Sequence, residues 1–276
     1  MKIGVVGLGL IGGSVAKAYK AFENVVLGFD TDATILGYAK LSGVIDDILT
    51  PERFGDCELI LLAATPKAMV AYLNENSRHI PSHVTVVDLC GIKEEICRVG
   101  FDHAARYGFT FVGGHPMAGS QYSGFKHSRS TLFKGASMII VPPVYDDMEL
   151  LEKVKRLFAP LEFKTFVVTT AAHHDRMIAY TSQMCHIASN AYIKSPAARE
   201  HQGYSAGSFR DLTRVARLNE AMWTELFLDN KEPLLDELDQ YINSLQQYRE
   251  ALANGDADRL CALLRDGRVA KELSEG

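Results

Sequence analysis

The chain has 276 residues, with 29 Lys plus Arg against 34 Asp plus Glu and a net charge of −5. That length suits two domains, each with its own core, and the negative balance leaves no electrostatic footprint for nucleic acid or an anionic membrane. Five scattered cysteines (Cys57, Cys90, Cys97, Cys185, Cys261) contain no CxxC pair. With no leader and no apolar run of spanning length, this composition points to a cytoplasmic protein in a reducing compartment.

From Lys2 to Val168, short β-branched runs alternate with amphipathic stretches of helical length, the pattern of a parallel sheet covered by helices. The predicted strands are Ile3–Val6, Val25–Phe29, Leu59–Ala63, Val84–Asp88, Thr110–Val112, Ser137–Val141 and Phe163–Val168. The first leads into Gly7-Leu8-Gly9-Leu10-Ile11-Gly12, a G-x-G-x-x-G between an apolar strand and an apolar-periodic helix. In that setting Gly7 permits the tight turn, Gly9 lets the backbone approach a pyrophosphate, and Gly12 allows close helix packing. The N–H groups around Leu10 and Ile11 at the helix start bind the diphosphate. Asp30 ends the second strand eighteen residues after Gly12, placed to accept hydrogen bonds from ribose hydroxyls and to repel a 2′-phosphate. No Arg follows until Arg53, so the expected cofactor is NAD. Thr65, in the loop Ala63-Ala64-Thr65-Pro66, is expected to border the cofactor, and Asp88 with Lys93 to reach the nicotinamide or a nearby histidine, or else to form a surface ion pair.

Gly113-Gly114-His115-Pro116-Met117-Ala118-Gly119 sets one histidine among small residues just downstream of this half. It reads as a Gly-Pro turn holding either an ordinary loop histidine or one that works on a substrate against the cofactor. After Val168 the alternation stops and the composition becomes rich in Leu, Ala, Glu and Arg, so consecutive helices follow. The expected division is residues 1–169 as a dinucleotide-binding Rossmann-like domain and 170–276 as an all-α substrate and dimerisation domain. On an unbroken helix Asp175 and His186, eleven residues apart, lie about twenty degrees apart, with Ser182 on the same stripe. A zinc reading fails for lack of ligand spacing, and no metal is expected. Arg210, Arg214 and Arg217 follow i, i+4, i+7, a basic face suited to a carboxylate, with Asp211 able to orient Arg214. Leu234, Leu238, Tyr241, Leu245, Tyr248 and Leu252 form a seam of about 3.5-residue period that packs within its domain or against a second copy.

In this order and spacing the motifs at 7–14, 88–93, 113–119, 174–175, 186, 209–214 and 222–223 resemble those of the prephenate/arogenate dehydrogenases of tyrosine biosynthesis, over nearly the whole chain. The resemblance implies a Rossmann-like domain, a helical dimerisation domain and an active site between them. It also implies that His115 is catalytic, that His186 contacts substrate, that Arg214 binds a substrate carboxylate, and that Trp223 steadies the helix carrying it. Two positions depart from that pattern. Gly91 stands where a serine hydroxyl is common, leaving water, Ser120 or Cys90 to fill the space, and Ser120-Gln121 stands where an acidic residue is frequent. A neutral Gln121 does not attract an ammonium and still bonds a ketone, which favours prephenate over arogenate. Two rivals stay open: a β-hydroxyacid or imine-reducing dehydrogenase, and a non-catalytic NAD-binding sensor. The first commonly relies on a helical-domain Lys, and none lies between residue 170 and Lys194.

Overall fold

The computed structural model describes residues 1–120 and 122–275; Gln121, expected at the substrate, lies outside them. Its first half alternates β1 (Lys2–Val6), α1 (Leu10–Ala21), β2 (Val25–Phe29), α2 (Ala33–Leu41), β3 (Asp47–Ile48), β4 (Leu59–Leu62), α3 (Pro66–Asn76), β5 (Thr85–Asp88), α4 (Glu94–Tyr107) and β6 (Thr110–Pro116). Then come β7 (Ser137–Val141), α5 (Met148–Leu157) and β8 (Thr165–Val168). The strands form one eight-stranded sheet in the order β3-β2-β1-β4-β5-β6-β7-β8, whose first six members are parallel. The crossover from β3 back past β1 to β4 is the switch point where such sheets bind nucleotides. Helices cover both faces, and full burial of side chains such as Leu8, Phe111, Phe133 and Phe158 contributes about 1.5–3 kcal/mol each.

The expectation of a uniformly parallel sheet is corrected at one pair. β6 does not stop at Val112; it runs on through Gly113, Gly114, His115 and Pro116, which pair antiparallel with β7 (His115 opposite Ile139). His115 therefore sits on a strand and not in a Gly-Pro turn. Two glycines make this possible, since a Cβ at Gly114 would lie 2.6 Å from the Asp88 carbonyl oxygen and one at Gly113 would strike Cys97 Sγ. Pro116 is tolerated because the recorded pairing with β5 ends at Val112, so its missing N–H breaks no ladder on that side.

The helical half comprises α6 (Ala171–Ile178), a π-helical turn (Ala179–Gln183), α7 (Met184–Tyr192), α8 (Gly207–Thr213), α9 (Glu220–Asp229), α10 (Lys231–Asn254) and α11 (Ala257–Glu275). Of the predicted seam, Leu234 packs with Ala179 and Met184, whereas Tyr241, Leu245 and Leu252 are exposed. Leu238 is half-buried beside that cluster, and Tyr248 is half-buried with its hydroxyl donating to Leu263 O of α11 at 3.2 Å. Among the described residues no helix is long and apolar enough to cross a membrane.

Candidate active site

The glycine loop is built as its spacing suggests. Gly7 has φ +85°, and a Cβ there would come within 2.6 Å of the Ala63 carbonyl oxygen; one at Gly12 would run into the Gly7 carbonyl. A Cβ at Gly9 would meet nothing within 4 Å, so the loop opens outward at that point. Gly9 caps α1 without a side-chain hydrogen bond, leaving the first N–H groups near Leu10 and Ile11 for an anion. Asp30 braces this loop: Leu8 N donates to its Oδ2 at 2.6 Å and Asp32 N to its Oδ1 at 2.9 Å. A carboxylate has about four acceptor positions, so two stay free for ribose hydroxyls. Thr65 is exposed at the start of α3, where Lys67 N donates to Glu225 Oε1 of α9 at 3.1 Å. The loop after β4 thus meets the helical half.

The ion pair of Asp88 with Lys93 does not lie on the surface, and that expectation is corrected. The side chains of Asp88 and Lys93 are both fully buried and paired with each other. Asp88 Oδ1 also accepts from Cys90 N and Oδ2 from Gly114 N. Its oxygens are spent holding the two segments that flank the site. Burial, the largest single effect, pulls the Lys93 ammonium downward, but the charge and hydrogen bond of Asp88 together with Cys90 and Cys97 hold it above its ordinary value.

His115 follows Gly114, whose N–H this pair holds. Its Nδ1 is 2.8 Å from His174 Nε2, and His174 Nδ1 is 2.6 Å from Asp175 Oδ1. Asp175 Oδ1 also accepts from Lys93 N (2.7 Å) and Oδ2 from Glu94 N (2.8 Å), at the start of α4. Burial, then His174, then Lys93 hold His115 well below its ordinary value, and burial lowers His174 as well. Both rings are thus neutral at neutral pH. On the far side of His115, a Cβ at Gly91 would lie 4.0 Å from its Nε2 and 3.9 Å from Leu226 Cδ2. Ser120 does not fill that space; its exposed hydroxyl accepts from Tyr122 N at 3.2 Å.

The stripe expected to carry Asp175, Ser182 and His186 is broken. The π turn at Ala179–Gln183 shifts the helical register, so Asp175 points to α4 while His186 points to the loop after α8. His186 Nδ1–H donates to Val215 O at 2.9 Å, and the ring lies against Trp223 with centroids 3.9 Å apart. Trp223 and Leu226 are three apart on α9, so one face of that helix touches both His186 and the space beside His115. The proposed arginine face is also corrected: α8 ends at Thr213, Arg214 is its C-cap, and Arg217 lies in irregular chain beyond. Burial lowers the proton affinity of His186, its hydrogen bond to Val215 O partly restores it, and Arg214 nevertheless stays close enough to lower it a little further. Among residues whose role single-sequence reading missed are Leu226 beside Gly91, and Gln183 and Asn230, which bond each other, Leu226 O and Asp175 O. Two buried amides in an amphipathic stretch are the signal that could have found them.

A nucleotide-binding α/β half, joined to a helical half with a hydrogen-bonded histidine pair at their junction, defines a two-domain oxidoreductase. Residues 15–167 match the family model described as prephenate dehydrogenase, nucleotide-binding domain, and residues 170–266 the one described as prephenate dehydrogenase, dimerization domain. Prephenate dehydrogenase of Bacillus subtilis (strain 168) is 31% identical over 281 residues, covering 98% of this chain and 74% of that protein. The crystal structure of Synechocystis arogenate dehydrogenase superposes with TM-score 0.81 at 26% identity, covering 99% of this chain and 100% of the other. That of prephenate dehydrogenase from A. aeolicus in complex with hydroxyphenyl propionate and NAD+ also gives 0.81, at 24% identity over 99% and 97%. The chain belongs to the prephenate dehydrogenase family, an assignment that sets aside the β-hydroxyacid and sensor readings.

Proposed function

We propose that this protein oxidises prephenate with NAD, giving 4-hydroxyphenylpyruvate, CO₂ and NADH, and that His115 is its general base. The observation that carries this reading is the position of His115, which bonds His174 through Nδ1 and turns Nε2 to the space over Gly91 at the end of a strand. NAD is the cofactor: the open face at Gly9, the uncapped start of α1 and the free lone pairs of Asp30 fit a diphosphate and an unphosphorylated ribose. When bound, NAD accepts the hydride from the ring carbon that bears the hydroxyl. His115 Nε2 takes the hydroxyl proton, the ring carboxylate leaves as CO₂, and its bonding electrons complete the aromatic ring. Arg214 anchors a substrate carboxylate, with His186 and Trp223 forming the adjoining wall. The exposed half of the α10 seam (Tyr241, Leu245, Leu252) is the surface through which two copies pair, in keeping with the dimerization domain matched there. Unpaired Cys57, Cys90, Cys97, Cys185 and Cys261 suit a cytoplasmic enzyme.

Arogenate is the second reading, favoured by one observation. His186 spends its Nδ1–H on Val215 O, so its neutral Nε2 is an acceptor, which suits an ammonium. Following NADH absorbance with each compound separates them. Turnover of prephenate with NAD, and slower turnover with NADP, is the expected result; turnover of arogenate alone overturns the substrate. Arg214→Ala is expected to raise KM about 10- to 150-fold with kcat nearly constant, the loss of a charged hydrogen bond worth about 1.5–3 kcal/mol. Steady-state kinetics check it, and an unchanged KM removes Arg214 from the carboxylate site.

A further inference from the structure

We propose that His174 and Asp175 are positioning residues that set the tautomer of His115, through a hydrogen-bonded chain reaching from the helical half into the nucleotide-binding half. The proposal rests on the reading of His115 as the base. The proton positions follow outward from Asp175. Two backbone N–H groups at the start of α4 already donate to this carboxylate, and Asn230 Nδ2 donates to its own carbonyl oxygen at 2.9 Å. Facing those donors, Asp175 accepts from His174, so the proton of neutral His174 is on Nδ1. His174 Nε2 is then bare and accepts from His115 Nδ1–H, which leaves His115 Nε2 bare as well. That atom faces Gly91 and Leu226, where the reacting hydroxyl has room.

The groups facing the histidine pair are few. The Lys93 ammonium opposes a positive charge on either ring, Asp88 pairs with Lys93, and Asp175 closes the chain. When His115 takes the substrate proton on Nε2, its Nδ1–H keeps donating to His174, so no second proton transfer is needed. The arrangement also depends on the two halves being in contact. Asp175 and His174 belong to α6, whereas Lys93, Glu94 and His115 belong to the sheet domain. Only when the halves dock does the base acquire its tautomer.

Three variants of the full-length protein test this. Asp175→Asn presents an N–H donor to His174, which then turns its bare nitrogen toward the new amide and its N–H toward His115; His115 Nδ1 becomes the acceptor and Nε2 carries the proton. On the order of a 10²-fold loss in kcat is expected, with KM and NAD affinity within about threefold. His174→Phe, which removes the acceptor, is expected to match it. His174→Gln, whose amide both donates and accepts, is expected to recover at least tenfold of that loss. Nitrogen NMR of histidine-labelled protein reads the tautomer directly: Nδ1–H on His115 in the unaltered protein, Nε2–H in Asp175→Asn. If His174→Phe does not fold, the NMR assignment on the unaltered protein still decides. An Nε2–H tautomer there overturns the proposal, as does wild-type kcat in Asp175→Asn. A His115→Asn variant separates the two readings. If it is inactive while Asp175→Asn and His174→Phe are normal, the base stands and the chain falls; if it is fully active, the base reading falls and the chain has no catalytic role.

Discussion

A His115→Asn variant is expected to bind NAD with unchanged affinity and to lose about 10²–10⁴-fold in kcat, the range typical of a removed general base. Asparagine suits this test because its amide N–H can still donate to His174 Nε2 in place of the imidazole Nδ1–H, so the neighbouring residues keep their partners. What disappears is the bare nitrogen over Gly91. Cofactor titration separates loss of chemistry from loss of binding, and single-turnover kinetics read the chemical step itself. The unaltered enzyme supplies a companion test through pH. Burial, His174 and Lys93 hold His115 well below its ordinary value of 6.5. The acid limb of kcat is therefore expected below that value, with full activity maintained through pH 6.5; a limb centred at or above it removes His115 from the role. Stability follows with a definite sign. In the unfolded chain His115 and His174 take up protons near pH 6.5, whereas in the folded protein they do so only at lower pH. Unfolding is then favoured progressively as pH falls from 6.5 toward the folded values, and urea midpoints are expected to drop across that window.

The parts legible in the sequence are those that local periodicity and turn chemistry decide. Gly7, Gly9 and Gly12 lie between an apolar strand and an amphipathic helix, so their roles follow from a few neighbouring residues, and the strand ending at Phe29 delivers Asp30 to the glycine loop. The continuation of β6 through His115 was not legible, because Gly-Gly-His-Pro has the composition of a turn and becomes strand only where β7 pairs with it. The helical wheel failed for Asp175 and His186 because one π turn, invisible in the apolar pattern, displaces everything after it. The contact between His115 and His174 spans 59 positions. His174 and Asp175 entered the sequence reading through the motif at 174–175 and, for Asp175, through the helical stripe, and nothing local names their partners. The three arginines shared a face only on a helix that continues, and α8 ends one residue before Arg214.

The buried pair beneath the site carries the largest expected stability effect. Lys93→Met is expected to destabilise the protein by about 3–5 kcal/mol, because the Asp88 carboxylate is left in the interior without its counter-charge. Methionine fills most of the volume of the lysine stem, so lost packing contributes little and the charge decides the outcome. The Cys90 and Gly114 N–H groups still donate to Asp88, but hydrogen bonds alone do not offset the desolvation of a full negative charge. Burial already favours the protonated form of Asp88. Without Lys93 only the Cys90 and Gly114 N–H groups oppose that tendency, so a folded-state pKa already above the unfolded one climbs further. The sign is then opposite to the usual carboxylate case: the deficit is small below the unfolded value near 3.8 and grows as pH rises toward the new folded value. Urea unfolding at pH 5 and pH 8 checks this, and a deficit that shrinks with rising pH contradicts it. Lys93→Met with Asp88→Asn is expected to recover most of the loss, since a neutral buried pair costs far less than an unpaired ion. Activity is expected to recover less. Asp88 accepts from Gly114 N, one residue before His115, and the Lys93 ammonium helps keep that ring neutral. The double variant thus separates two tasks of the same ion pair, holding the fold together and keeping the base unprotonated.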